Sequence, residues 1–248
     1  MDRKLPRFAF QFLLLLGVGP SSSSPSLIQT CIAGNYDAPS VCSTTSNSAS
    51  GGAIANPVQS FTSGQTLVVY VTSTNGSTLP LVAPNLSGSG CPSSLTAWVP
   101  LTGAHGLYYG TTQAGACTVT ESAASSAAYT QMAWWVWSGL TGSYDTPSFI
   151  DNTGCFSTNC PGASETPSAN NSAVMGSVTT SGSGSIIGLN SGSPFSLTPP
   201  NQFNAMLALD NLAVLAASFV QSTAASAQIG YTNTSGVAIA SSVVASAR

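Results

Sequence analysis

The chain has 248 residues but only four Lys or Arg and seven Asp or Glu, so 4% of it is charged. Arg3, Lys4 and Arg7 lie in the first seven residues and the fourth cation is Arg248, leaving none from Phe8 to Ala247. This excludes electrostatic nucleic-acid binding, which needs clustered cations to displace counterions, and P-loop phosphate transfer, which needs a lysine.

Met1 to Phe8 is a short basic stretch, followed by an apolar run from Ala9 to Val18 and a small-residue zone from Gly19 to Ser26. That order reads as a Sec-type signal peptide over residues 1–24, with an apolar run too short to span a bilayer. Export to the cell surface or the medium follows as an expectation, with no membrane span in the mature chain. Past residue 24 six carboxylates (Asp37, Glu121, Asp145, Asp151, Glu165, Asp210) face one cation, so the net charge is −5. Residues 25–55 are rich in Ser, Gly and Asn and read as an extended arm pinned by Cys31 and Cys42. Residues 56–248 read as one β-domain.

Within that domain apolar runs alternate with turn clusters at about ten-residue intervals, the spacing of an all-β sandwich or barrel. Ten strands are predicted: Thr66–Thr72, Leu95–Leu101, Gly106–Thr112, Ala116–Glu121, Ala128–Trp137, Ala173–Thr179, Ser185–Leu189, Leu212–Val220, Gln228–Thr232 and Val237–Ala245. Phe203–Val220 as a whole reads either as a helix or as two strands. Asn211 and the closing Phe219-Val220 favour two strands with a bend. Ala128–Trp137 is apolar on both faces, as in a central strand covered on both sides.

The succession TLVVYV, YYGTTQAGACTVT, AYTQMAWWVWSGL and DTPSFID resembles exported bacterial β-sandwich domains of jelly-roll or immunoglobulin-like type. The likeness spans roughly Ala55 to Ala247 and implies a two-layer antiparallel sandwich and export. It does not imply an activity. Such domains often carry an acidic residue before the aromatic-Ser-Gly turn, where this chain has Val136-Trp137-Ser138.

Six cysteines suit an oxidising compartment. Their spacing suggests three local disulfides, 31 with 42, 91 with 117 and 155 with 160, although six cysteines allow fifteen connectivities. Zinc is disfavoured by the single histidine and the lack of a C-x₂-C pair. That histidine, His105, reads as a solvent-facing turn residue, and no G-x-S-x-G elbow accompanies it. Asp145 and Asp151, with Asn152, share one loop. They either offer oxygen ligands to Ca²⁺, the one cofactor candidate, or cap turns by accepting backbone N–H bonds. A glycosidase pair drawn from Glu121, Asp145, Asp151 and Glu165 is conceivable, but no spacing brings two of them together. Alternation along the aromatic strand sets Trp135, Trp137 and Tyr129 on one face and Trp134 with Met132 and Val136 on the other. Exposed, the first set would stack on sugar rings; buried, both sets fill a core, which the two-sided apolar pattern favours.

Three functions follow as expectations. The first is a non-enzymatic structural or interaction protein that self-associates by strand addition through an uncharged edge at Val237–Ala245. The second is a carbohydrate-binding module using the aromatic face, with extracellular polysaccharide as partner. The third is a secreted carboxylate-dependent glycoside hydrolase. With almost no ion pairs to lose on protonation, the fold is also expected to tolerate acid.

Overall fold

The computed structural model describes residues 24–34, 39–42, 46–48, 53–55, 58–73, 83–102, 105–122, 130–155, 157, 159–181, 186–189, 195, 203–209, 212–233 and 239–248. Among them every regular element is a β-strand and every pairing is antiparallel, so the molecule is all-β. Nineteen strands are present among the described residues. All ten predicted strands are among them, with ends shifted by a residue or two.

The largest sheet has seven strands. Its centre is β11 (Thr130–Ser138), which pairs on one side with β1 (Ser26–Gly34) and on the other with β6 (Thr66–Ser73). Beyond β6 come β9 (His105–Thr111) and β8 (Thr96–Thr102); beyond β1 come β2 (Pro39–Cys42) and β3 (Ser46–Ser48). The stretch whose composition reads as an arm thus supplies a strand beside the aromatic one, with Thr30, Cys31 and Ile32 fully buried. Its Ser-rich sequence hides this, because burial comes from its neighbours rather than from its own apolar content.

A second sheet of five strands runs in the order β12 (Ser148–Gly154), β19 (Ile239–Ala247), β14 (Ser172–Ser181), β17 (Leu212–Gln221) and β16 (Phe203–Leu209). Phe203–Val220 is therefore two strands, paired in register from Phe203 opposite Ser218 to Leu209 opposite Leu212. The expectation that the C-terminal strand is an exposed edge is corrected here. β19 lies between β12 and β14, and Ser241 to Ala247 are all buried. An uncharged strand of this kind needs no protecting lysine when both of its ladders are occupied.

Two smaller sheets complete the set among the described residues. One gathers β4 (Ala53–Ala55), β5 (Gln59–Phe61) and β7 (Asn85–Ser87) around β10 (Gly115–Ser122); the other is β13 (Cys160–Glu165), β18 (Ala227–Asn233) and β15 (Ile186–Leu189). The three apolar clusters show how the sheets stack. Ile32, Val68, Ala133, Trp135 and Trp137 of the seven-stranded sheet share one cluster with Ala173, Met175, Ala216, Val243 and Ala245 of the five-stranded sheet. The opposite face of the larger sheet (Val69, Met132, Trp134, Val136) packs on Phe61, Cys117 and Val119 of the sheet around β10. The opposite face of the five-stranded sheet (Val174, Ala217, Val244) packs on Ala163, Ala227 and Ile229 of the three-stranded sheet. Two layers were expected and four sheets are found, because β11 and β14 are apolar on both faces and each face must be covered. Where the central sheets meet, large indoles oppose alanines, an arrangement that lets layers interdigitate.

Disulfides tie the periphery. Cys91 bridges Cys117 and Cys155 bridges Cys160, as the spacing suggested. Cys31 is disulfide-bonded, and its register partner across β1 and β2 is Cys42. In the chain-entropy model the 26-residue loop from Cys91 to Cys117 is worth about 3–4 kcal/mol.

Candidate functional site

The aromatic strand ends in Ser138, and the chain then turns through Gly139 and Gly142, both at positive φ (78° and 88°), a conformation that disfavours side chains. The turn lays Ser143–Asp145 against the end of β19. Ser143 N–H donates to the Arg248 carbonyl (3.1 Å), Arg248 N–H donates back (2.8 Å), and Asp145 N–H donates to the Ser246 carbonyl (3.0 Å). This short ladder carries Asp145 to a second carboxylate distant in sequence, Glu165 at the end of β13.

The two acids meet on one hydroxyl. Ser246 Oγ lies 2.7 Å from Asp145 Oδ2 and 2.6 Å from Glu165 Oε1. Ser168 N–H also donates to Asp145 Oδ2 (3.1 Å). A serine hydroxyl has one proton to give, so two such contacts require a proton on one carboxyl group. Burial pushes Glu165 up to about 7; the Ser246 contact opposes this shift and the Asp145 charge adds to it. For Asp145 partial burial pushes upward, but the bonds from Ser168 and Ser246 and the nearby Arg248 guanidinium outweigh it and hold the group below its ordinary range. Below neutrality the arrangement is therefore Glu165 O–H to Ser246 Oγ, and Ser246 O–H to an ionised Asp145. Splitting a carboxyl pair into one acid and one base in this way is how such pairs perform proton transfer.

Above the pair stands a half-buried aromatic group. Trp98 Nε1–H donates to the Asp145 carbonyl (2.7 Å). Its ring meets Tyr144 edge-on at 4.8 Å, and Tyr144 stacks on Tyr109 at 4.0 Å between centroids. Trp98, Tyr109 and Tyr144 are each only partly exposed.

The other singled-out residues fall elsewhere. Trp135 and Trp137 are 1% and 0% exposed, so they fill the core between the central sheets and offer no ring to a sugar. Trp134 fills the opposite face, as alternation requires. Tyr129 lies outside the described residues. Asp151 and Asn152 belong to β12, and their side chains lie outside the described set. Asp145 fits the capping role, since its carboxylate accepts the Ser168 N–H. Among the described residues no three His, Cys, Asp or Glu side chains converge as a metal site. His105 is not the solvent-facing turn residue expected. It is 2% exposed, its Nδ1 is 2.6 Å from the Tyr70 hydroxyl, and its ring lies 5.3 Å from that of Phe149.

Glu121 stands apart from the Asp145–Glu165 pair, on β10 opposite Ile54. It is fully buried, both of its oxygens lack a hydrogen-bond partner, and burial pushes it up to about 8. The buried Tyr108 hydroxyl is also without a partner, and its ionisation is pushed up by burial and then by the Glu121 charge. Glu121 is accordingly a neutral acid sealed in apolar surroundings at neutral pH.

Sequence reasoning named both members of the pair but could not join them. They are twenty residues apart and meet through Ser246, one of 42 serines, so no spacing rule marks it. Set against known protein families, characterised proteins and solved structures, the chain matches none of them.

Proposed function

We propose that the protein is an exported, non-enzymatic structural or interaction protein of the cell surface or the extracellular medium, built as a jelly-roll or immunoglobulin-like sandwich with extra outer sheets, that self-associates by strand addition. The observation carrying this reading is the terminal position of β16 in the five-stranded sheet of described strands. Among the described residues this strand closes one end of the five-stranded sheet and its one ladder runs to β17, and its sequence FNAMLAL has no charge and no proline. Long uncharged edges present unpaired backbone groups to a second chain. With β19 internal, β16 takes the role first given to the C-terminus. Hydrogen exchange tests it. In concentrated protein the β16 amides become protected relative to dilute protein; unchanged β16 amides would leave this reading without support.

A second reading, a carboxylate-dependent glycoside hydrolase, is favoured by the Asp145–Ser246–Glu165 contact. Glu165 would serve as the proton donor and Asp145 as the base or nucleophile. Reducing-sugar release from soluble polysaccharides, abolished in both Glu165→Gln and Asp145→Asn, would establish it. Release unaffected by either substitution would dismiss it. The carbohydrate-binding face built on Trp135 and Trp137 is withdrawn, since neither ring reaches the surface.

A further inference from the structure

At the end of β19 lies a half-open surface pocket of about 540 Å³, lined by Pro25, Gly139, Thr141, Asn170, Asn171 and Arg248, with Ser24, the last residue of the stretch read as a signal peptide, beside Pro25. That volume lies within the roughly 300–1,000 Å³ range of small-molecule sites. Its lining differs from the rest of the molecule in two ways. Arg248 is the one Lys or Arg among the described residues, and it forms no ion pair with any of them, although Asp145 feels its field. Asn171, with φ of 56°, is the one non-glycine residue among the described set in the left-handed region. Such strain persists where the surroundings enforce it, often at binding sites. The turn is enforced by Ser172 Oγ donating to the Ala169 carbonyl (2.8 Å) and by the Asn170 Oδ1 accepting from Ala224 N–H (2.7 Å).

The hydrogen-bonding inventory sets the ligand class. With its Oδ1 occupied, Asn170 retains an N–H₂ group to donate. Thr141 Oγ1 spends its proton on the Arg248 carbonyl (2.8 Å) and keeps lone pairs to accept with. Asn171 can do both. The guanidinium offers a fork of donors matched to a planar oxyanion. A wall of mixed donors and acceptors around one cation suits a ligand rich in hydroxyls that carries one carboxylate or sulfate. We propose that this cavity binds an acidic saccharide unit, with its oxyanion on Arg248 and its ring hydroxyls on Thr141, Asn170 and Asn171. The site goes beyond the self-association reading and does not depend on it, since β16 lines no part of the cavity.

Calorimetric titration of the secreted chain at low ionic strength tests the site with three probes: an oligogalacturonate, a sulfated galactan oligomer and a neutral cello-oligosaccharide. At least one acidic probe should bind saturably and about tenfold or more tighter than the neutral one, and added salt should weaken it. The two acidic arms separate carboxylate from sulfate recognition. Arg248→Gln should lose about tenfold in affinity for the acidic probe. Asn171→Gly, which keeps the left-handed turn and removes the amide, should lose a few-fold. Both variants should keep the wild-type circular dichroism spectrum. Failure of both acidic probes to bind overturns the proposal. So does equal affinity for the neutral probe, or acidic binding that Arg248→Gln leaves intact.

Discussion

Replacing Glu121 by Gln should remove most of the dependence of stability on alkaline pH. The wild-type carboxyl is raised from 4.5 to about 8 in the folded state. A group held that way binds its proton more tightly folded than unfolded, so its contribution is fully present below about pH 4.5 and is lost as the pH rises to about 8. At about 1.4 kcal/mol per unit the span is worth up to about 5 kcal/mol. Between pH 5 and pH 8.5 just under 4 kcal/mol of this is lost, and for a domain of this size each kcal/mol corresponds to about 2–4 °C, so the melting midpoint should fall by roughly 8–15 °C. Gln cannot ionise; it buries an amide at a cost that does not vary with pH, so the slope is the readout and not the absolute midpoint. Urea midpoints at pH 5, 6.5, 8 and 9 for wild type, Glu121→Gln and Glu165→Gln separate the two raised acids. Glu165→Gln should remove a smaller share, since that group is partly exposed. Parallel curves for wild type and Glu121→Gln, or a wild type that gains stability from pH 5 to 8, would refute the reasoning.

The same sign argument predicts acid tolerance, because of the three carboxylates whose side chains are described, Glu121, Asp145 and Glu165, only Asp145 is held below its ordinary range, and only its small contribution is lost as pH falls. Near-ultraviolet circular dichroism at pH 3 should match that at pH 6, and a sharp loss between pH 5 and 3 would contradict it. Trp135→Ala, in the core between the central sheets, should cost about 3–5 kcal/mol by denaturant titration; a loss below 1 kcal/mol would mean the ring is not buried. Deleting residues 237–248 removes β19 from the middle of its sheet and should leave no cooperative unfolding transition, whereas a folded truncated chain would place that strand at an edge after all.

What could be read from sequence tracks where the physics is local. The strands dense in β-branched and aromatic residues, β6 and β11 above all, announce themselves as unbroken apolar runs, and the two-sided apolar pattern of the aromatic strand already implies a central, covered position. The unread strands are of another kind. β3, β4, β5 and β7 have three residues each, and FIDNTG or CPGASE in β12 and β13 look like loops until a neighbour supplies the ladder. The burial of Glu121 was equally hidden. A glutamate at a strand end is ordinarily solvated, and only the sheet of β4, β5 and β7 closing around β10 seals it. The two layers came from the resemblance to exported β-sandwich domains; the spacing alone counts strands, not covered faces.

Light scattering of the purified chain over a hundredfold concentration range, beside Asn204→Lys, tests the proposed self-association most directly. Asn204 is the polar position of β16, and a lysine there is the kind of charge that guards edges. We predict that wild-type mass rises with concentration while Asn204→Lys remains a folded monomer. A wild type that stays monomeric throughout, or an assembly that Asn204→Lys leaves unchanged, would contradict association through β16.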